Sequence, residues 1–181
     1  MDKVEKIEQS LITKAKIERR IKANRIIGRI VFRNHFSSHP GRHSWDLCGH
    51  PVYRWTFKAA MDCKYLEKIT VWTEVEEALE MARKMSDKFV TFKRSIEECK
   101  EPAWRIVDDL KTPTSRIPLW GITPEMIEEK LGFQPTLQVN FSVCHPLETT
   151  ESINKLVEKY FEDDMAERVY LVYKAEIGYV T

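Results

Sequence analysis

Short β-branched runs alternate with helical stretches through the first half of this chain, and that alternation restricts the folds open to it. RIIGRIVF (25–32) reads as a buried strand. PVYRWTFKAAMDCKYL (51–66) sets Val52, Trp55, Ala59 and Cys63 or Met61 at helical spacing. KITVWT (68–73) is a second strand, and KFVTFKR (88–94) a third. Between them EVEEALEMARKM (74–85) carries acids in its first turn and bases in its last, which suits the helix dipole. Strands separated by helices pair in parallel. The order therefore predicts an α/β sheet with right-handed crossovers.

The later chain is less regular. EPAWRIVDDLK reads as a helix after Pro102, and TPTSRIPLWGI as a loop. TPEMIEEKLGF reads as a short helix with Thr123 as N-cap, Pro124 at its first position and Gly132 at its end. TLQVNFSV (136–143) and ERVYLVYKAEI (167–177) read as strands. The helix between them, TTESINKLVEKYFED, is capped by Thr149 or Thr150. Residues 1–24 hold no Gly or Pro and carry Val4, Ile7, Leu11, Ile17 and Ile21 at broken helical spacing. Their second half is basic, with Lys14, Lys16, Arg19, Arg20 and Lys22 against Glu18 alone. Two readings stand for this segment: a helix docked on its own domain or on a partner chain, and a basic arm for an anionic surface. The predicted organisation is an amphipathic basic helix over 1–24 and one α/β domain over 25–181.

Composition removes several classes. With 181 residues, 43% of them apolar and 31% charged, the chain suits one soluble domain. A net charge of +1 gives no global field toward nucleic acid or membrane. No apolar run approaches the roughly 18 residues of a membrane span, and no signal-peptide core opens the chain. Cys48, Cys63, Cys99 and Cys144 are scattered without a CxxC pair, which predicts reduced thiols and a cytoplasmic setting. Trp45, Trp55, Trp72, Trp104 and Trp120 read as core candidates, with the alternative for Trp45 and Trp120, which fall in predicted loops, that they line a pocket or interface.

The stretch FRNHFSSHPGRHSWDLCGHPVYRW (32–55) follows the first strand and holds four of the five histidines. His35, His39 and His43 are spaced by four, as on one helical face that could bind zinc, but Pro40 and Gly41 break such a helix. The other reading is an anion loop. A loop leaving the first parallel strand lies where open α/β sheets bind ligands. Arg33 and Arg42 can fork onto phosphate oxygens, Ser37 and Ser38 add donors, and Gly41 permits close backbone approach.

This region resembles the opening signature of the sugar-acid cytidylyltransferases, the CMP-N-acylneuraminate and CMP-Kdo synthetase family. Without gaps, Arg33 falls on the family's Arg, Pro40 and Gly41 on its P-G, and Arg42 on its Lys; Leu47, Gly49 and Pro51 also match. Thr73 and Glu76 match a later S-T-D-D-E-E turn, where Glu74 and Val75 replace two acids. Pro146, Leu147 and Thr149 match part of a third motif, in which Ser142, Cys144, His145 and Glu148 depart from it. Phe36 departs from the first motif, and 112–136 reads as an insertion or rebuilt segment. Family-length chains carry further sugar-binding residues, a dimerisation element and a metal-binding Asp in a later half that this chain does not match.

The resemblance implies a Rossmann-like, mostly parallel sheet with helices on both faces, of the nucleotide-diphospho-sugar transferase type, preceded by the N-terminal helix. It implies a nucleoside triphosphate, CTP, as ligand and a sugar acid as acceptor. In an active enzyme the acceptor hydroxyl attacks the α-phosphate and pyrophosphate leaves, with Arg33 and Arg42 as catalytic phosphate clamps and Mg²⁺ as cofactor. Asp46, Glu74, Glu76 and Glu148 are the hard-oxygen candidates for that metal, and none is assigned to it. The alternative is a catalytically inactive domain that serves as a binding or assembly module. Either way the chain is expected to pair with itself or with a partner chain.

Overall fold

The computed structural model describes residues 3–35, 39–100 and 124–163, together with the single positions 166 and 169. Helix α1 (Lys3–Lys22) leads into β1 (Ile26–Val31). A 3-10 turn (Arg42–Ser44) and a small antiparallel hairpin, β2 (Asp46–Leu47) and β3 (His50–Pro51), precede α2 (Val52–Met61). Then come β4 (Lys68–Thr73), α3 (Glu76–Met85), β5 (Phe89–Lys93) and α4 (Ile96–Lys100). After the undescribed residues follow α5 (Pro124–Leu131), β6 (Leu137–Phe141) and α6 (Thr150–Glu162).

Strands β5-β4-β1-β6 form one sheet in that order, and every pairing is parallel. Winding runs from β1 outward through β4 to β5, then reverses to place β6 on the opposite side of β1. Right-handed crossovers require such a reversal to move the connecting helices to the other face. The core is divided accordingly. One face packs Ile26, Ile30, Ile69, Val71, Phe89, Val139 and Phe141 under α2, α3 and α6. The other packs Ile27, Trp72 and Phe92 against Ile127 of α5. The expected parallel α/β sheet with helices on both faces and a leading N-terminal helix is what the chain forms.

Local chemistry sets the element ends. In α6 the Thr149 hydroxyl accepts from the Ser152 amide and the Ser152 hydroxyl accepts from the Thr149 amide, a reciprocal capping box. Of the two expected caps, Thr149 is therefore the one used. Gly132 ends α5 with φ +72° while its amide donates to the Glu128 carbonyl, the left-handed stop expected of a glycine there. The predicted helix over 51–66 stops early, at Met61. Cys63 is instead buried beyond it, its thiol donating to Asn154 Oδ1 of α6 at 3.0 Å. The hairpin at 46–51 has no counterpart in the sequence reading; two-residue strands are too short to show a period.

The C-terminal half of α1 docks on its own domain. Ile21 is buried, Ile17 packs against the same cluster, and Arg20 Nη1 donates to the Phe161 carbonyl at the end of α6 at 2.6 Å. Leu11 and Ile12 of the preceding turns stay exposed. The expected helix after Pro102, the loop to 122, Thr123, Trp104, Trp120 and the strand over 167–177 lie outside the described residues. No described helix is long and apolar enough to cross a membrane.

Candidate functional site

The connections that leave the carboxyl ends of the neighbouring strands β1 and β6 both lead to the face covered by α2 and α6, and the two turns meet beside each other. The space beyond the carboxyl ends of the strands is where open α/β sheets take ligands. Four segments meet there: Phe32–His35 after β1, Thr73–Val75 after β4, Arg94 after β5, and the turn from Ser142 after β6.

Glu74 organises the mouth. Its side chain is 2% exposed, yet it is a carboxylate. Oε1 accepts from the Asn34 amide at 2.6 Å, the His35 amide at 2.9 Å and His35 Nδ1 at 3.1 Å. Oε2 accepts from Thr73 Oγ1 at 3.3 Å and from the buried Cys99 thiol at 3.4 Å. Burial by itself would raise the carboxyl pKa. The His35 and Asn34 amides, its own amide and the His35 ring outweigh burial and bring it to about 2. Glu74 thus stays ionised and pins the start of the β1 loop to the end of β4.

The loop then closes on itself. The Gly41 amide donates to the Asn34 carbonyl at 2.9 Å, and Asn34 Nδ2 donates to Ser44 Oγ at 2.9 Å. Gly41 has φ +80°, and an added Cβ would come no nearer than 3.9 Å to Trp45 Nε1. The left-handed backbone, not crowding, makes glycine the favoured residue. The 3-10 turn that follows carries Arg42 and His43.

The candidate phosphate residues therefore have different standing. Arg33 is half-buried and its Nη1 donates to the Cys99 carbonyl of α4 at 2.8 Å. The Gly41 amide is used within the loop. Arg42 lies half-buried at the same mouth, and its Nε donates to His43 Nε2 at 3.3 Å. Ser37 and Ser38 lie outside the described residues. Trp45, read first as core, is instead 56% exposed beside this loop, because the hairpin that follows leaves its ring uncovered.

The histidines face separate partners: His35 turns to Glu74, and His43 Nδ1 lies 3.0 Å from the Arg33 carbonyl. The described residues hold no cluster of three His, Cys, Asp or Glu placed for a metal. Nor do the four acids named for Mg²⁺ gather three to a site among the described residues. Glu74 is saturated by donors, and Glu76 pairs with Arg83 at 3.0 Å and Lys93 at 2.9 Å. Asp46 accepts the Gly49 amide at 3.1 Å, and Glu148 has its pKa raised by burial against the opposing effect of His145.

Two contacts escaped the sequence reading. The first is the Glu74 clamp, whose donors lie about forty positions upstream; an acid directly after a β-branched strand was its only mark. The second joins the turns after β1 and β6: Cys144 Sγ lies 3.5 Å from His43 Nε2, across 101 residues of sequence.

No protein-family model and no curated protein matches the chain. Among solved structures it is similar to a CMP:2-keto-3-deoxy-manno-octonic acid synthetase complexed with CTP, with TM-score 0.48 and 12% identity over 77% of this chain and 48% of that one. It is similar also to a cytidylyltransferase from Leptospira borgpetersenii serovar Hardjo-bovis (strain JB197), with TM-score 0.49 and 12% identity over 78% of this chain and 51% of that one. The chain thus spans about half the length of these solved proteins.

Proposed function

We propose that the crevice at the carboxyl ends of β1 and β6 binds the phosphates of a nucleoside triphosphate. The observation that carries this reading is the placement of Arg42. Its guanidinium stands by His43 beyond the carboxyl end of β1, next to a left-handed glycine, on a loop that Glu74 holds in place. Among the described residues only its Nε is engaged, which leaves the two terminal nitrogens to fork onto an anion. Arg33, already bonded to the α4 carbonyl, supports as a second positive charge behind the loop. Ser37 and Ser38 are the further donors we assign to the phosphates. The motif resemblance makes CTP the first nucleotide to test.

Binding without transfer is the reading we favour. Glu74 and Glu76 spend both oxygens on donors of this chain and Asp46 spends Oδ1, which argues against a metal held by several of these carboxylates. Mg²⁺ bound through the triphosphate's own oxygens would screen their charge. The rival is transfer of CMP from CTP to a sugar acid, which pyrophosphate release from CTP and candidate sugar acids would reveal.

Calorimetric titration with CTP, ATP and GTP, with and without Mg²⁺, tests the site. CTP is expected to bind with a sub-millimolar Kd, and Arg42→Ala to weaken it by about 1.5–3 kcal/mol, the scale of a charged hydrogen bond. Arg42→Lys should recover only part of this, because an ammonium lacks the planar fork. Absence of sub-millimolar binding by all three nucleotides would remove the proposal.

A further inference from the structure

Cys144 is exposed, in the turn directly after β6. His43 is 5% exposed, in the 3-10 turn of the neighbouring β1 loop. Their approach at 3.5 Å between Sγ and Nε2 is held from both sides. His43 Nδ1 faces the Arg33 carbonyl at 3.0 Å, so Nδ1 carries the hydrogen and Nε2 presents its lone pair to both Cys144 Sγ and Arg42 Nε, the latter at 3.3 Å. The Phe32 ring meets the imidazole edge-on at 5.4 Å and fixes its plane. A thiol, a base within reach of its proton and a third group that orients the base form the arrangement of an activated nucleophile.

The four cysteines of the chain differ in this respect. Cys63 donates to Asn154 and Cys99 to Glu74, and both are buried. Cys48 is exposed, but no described histidine lies in hydrogen-bond contact with it. Only Cys144 combines access with a histidine. Its base is also in a usable state. Burial, and then the charge of Arg42, lower the imidazole pKa, while the Arg33 carbonyl and the charge of Glu74 oppose them. The net effect keeps His43 in its neutral form near pH 7, the form that has a lone pair on Nε2. The charged groups acting on it are Arg42 and Glu74, and the Cys144 thiol lies beside it.

We propose that Cys144 and His43 form a thiol–imidazole pair, a reactive site for small disulfides at the mouth of the crevice. Cys144 Sγ attacks one sulfur of the disulfide as its proton passes to His43 Nε2. A new sulfur–sulfur bond forms on Cys144, the old one breaks, and the departing thiolate takes the proton from His43. The disulfide is the oxidant and is reduced by one thiol equivalent, so the exchange balances without another reagent. The pair adjoins the proposed phosphate site, since Arg42 Nε also reaches His43 Nε2, but its test reads thiol exchange without any nucleotide.

The full chain supplies its own controls. It should be treated with an aromatic disulfide, dithionitrobenzoate, and each modified cysteine quantified by peptide mass spectrometry over time. Near pH 7 Cys144 is expected to react about tenfold or more faster than Cys48, because an ordinary thiol gains thiolate only as pH nears about 8.5. His43→Gln should bring the Cys144 rate down to that of Cys48. Cys63 and Cys99 report folding: if they stay protected in His43→Gln, the loss belongs to the imidazole. If that variant unfolds, the wild-type pH profile decides. A Cys144 rate that holds up toward pH 6.5 while the Cys48 rate falls supports the pair. Cys144 and Cys48 rates that match and fall together overturn it, as does a folded His43→Gln protein with an unchanged Cys144 rate.

Discussion

Glu74 is a charge kept in the interior by geometry. Taking a carboxylate out of water is costly unless donors replace the water, and here two loop amides, a ring nitrogen, a hydroxyl and a thiol do so. Its folded pKa of about 2 lies below the ordinary 4.5. A depressed acid stabilises the folded state fully above the unfolded pKa and loses that contribution as pH falls through the folded one. The window is therefore about pH 5 down to about pH 2, and the contribution at stake is of order 3 kcal/mol. Glu74→Gln should cost about 2–3 kcal/mol at pH 7, since its amide turns a donor toward donors. Urea denaturation of both proteins at pH 7 and pH 3 checks this, with the gap between them narrowing at the lower pH. An equal gap at both would mean the carboxylate is held by less than the geometry indicates.

At the scale of elements, β1 is the strand with least room. It is hydrogen-bonded on both sides, and an added Cβ at Gly28 would meet Leu66 Cδ1 at 3.0 Å, Phe141 Cε2 at 3.2 Å and Ile69 Cγ1 at 3.3 Å. All three neighbours are themselves buried, so none can yield freely. Gly28→Ala should lower stability by about 1–3 kcal/mol through overpacking, read as a reduced urea midpoint with little change in slope. The strands and helices around β1 were readable because their apolar periods survive in the sequence: Ile26 and Ile30 point to one face and Ile27 to the other. The same legibility gave the position of the candidate loop after β1. It did not give the partners within it. That the Gly41 amide closes on Asn34, that Arg33 reaches the Cys99 carbonyl, or that His43 meets Cys144 depends on elements brought together by the sheet. Spacing along the chain holds no record of such contacts.

For the whole molecule, we expect association into more than a monomer. Leu11 and Ile12 are 61% and 65% exposed on the part of α1 that precedes its docked half, an apolar pair without cover among the described residues. Light scattering at two concentrations should give a mass above the 21.4 kDa of one chain. Leu11→Lys with Ile12→Lys should bring it down, whereas removing all of 1–24 would also strip Ile17 and Ile21 from the core and confuse the result. A single-chain mass for the unmodified protein at both concentrations would show that α1 has another role. The order of strands has a consequence of a different kind, in the time it takes to make the protein. β1 emerges from the ribosome well before β6 and soon meets β4, yet its other edge waits for residues near Thr136, 111 positions after Arg25. At about 5–20 residues per second, that edge stays open for roughly 5–20 s of synthesis. The nascent chain therefore carries a half-finished sheet whose apolar rim must be shielded, by the ribosome surface or by a chaperone, until the last strand of the described sheet arrives.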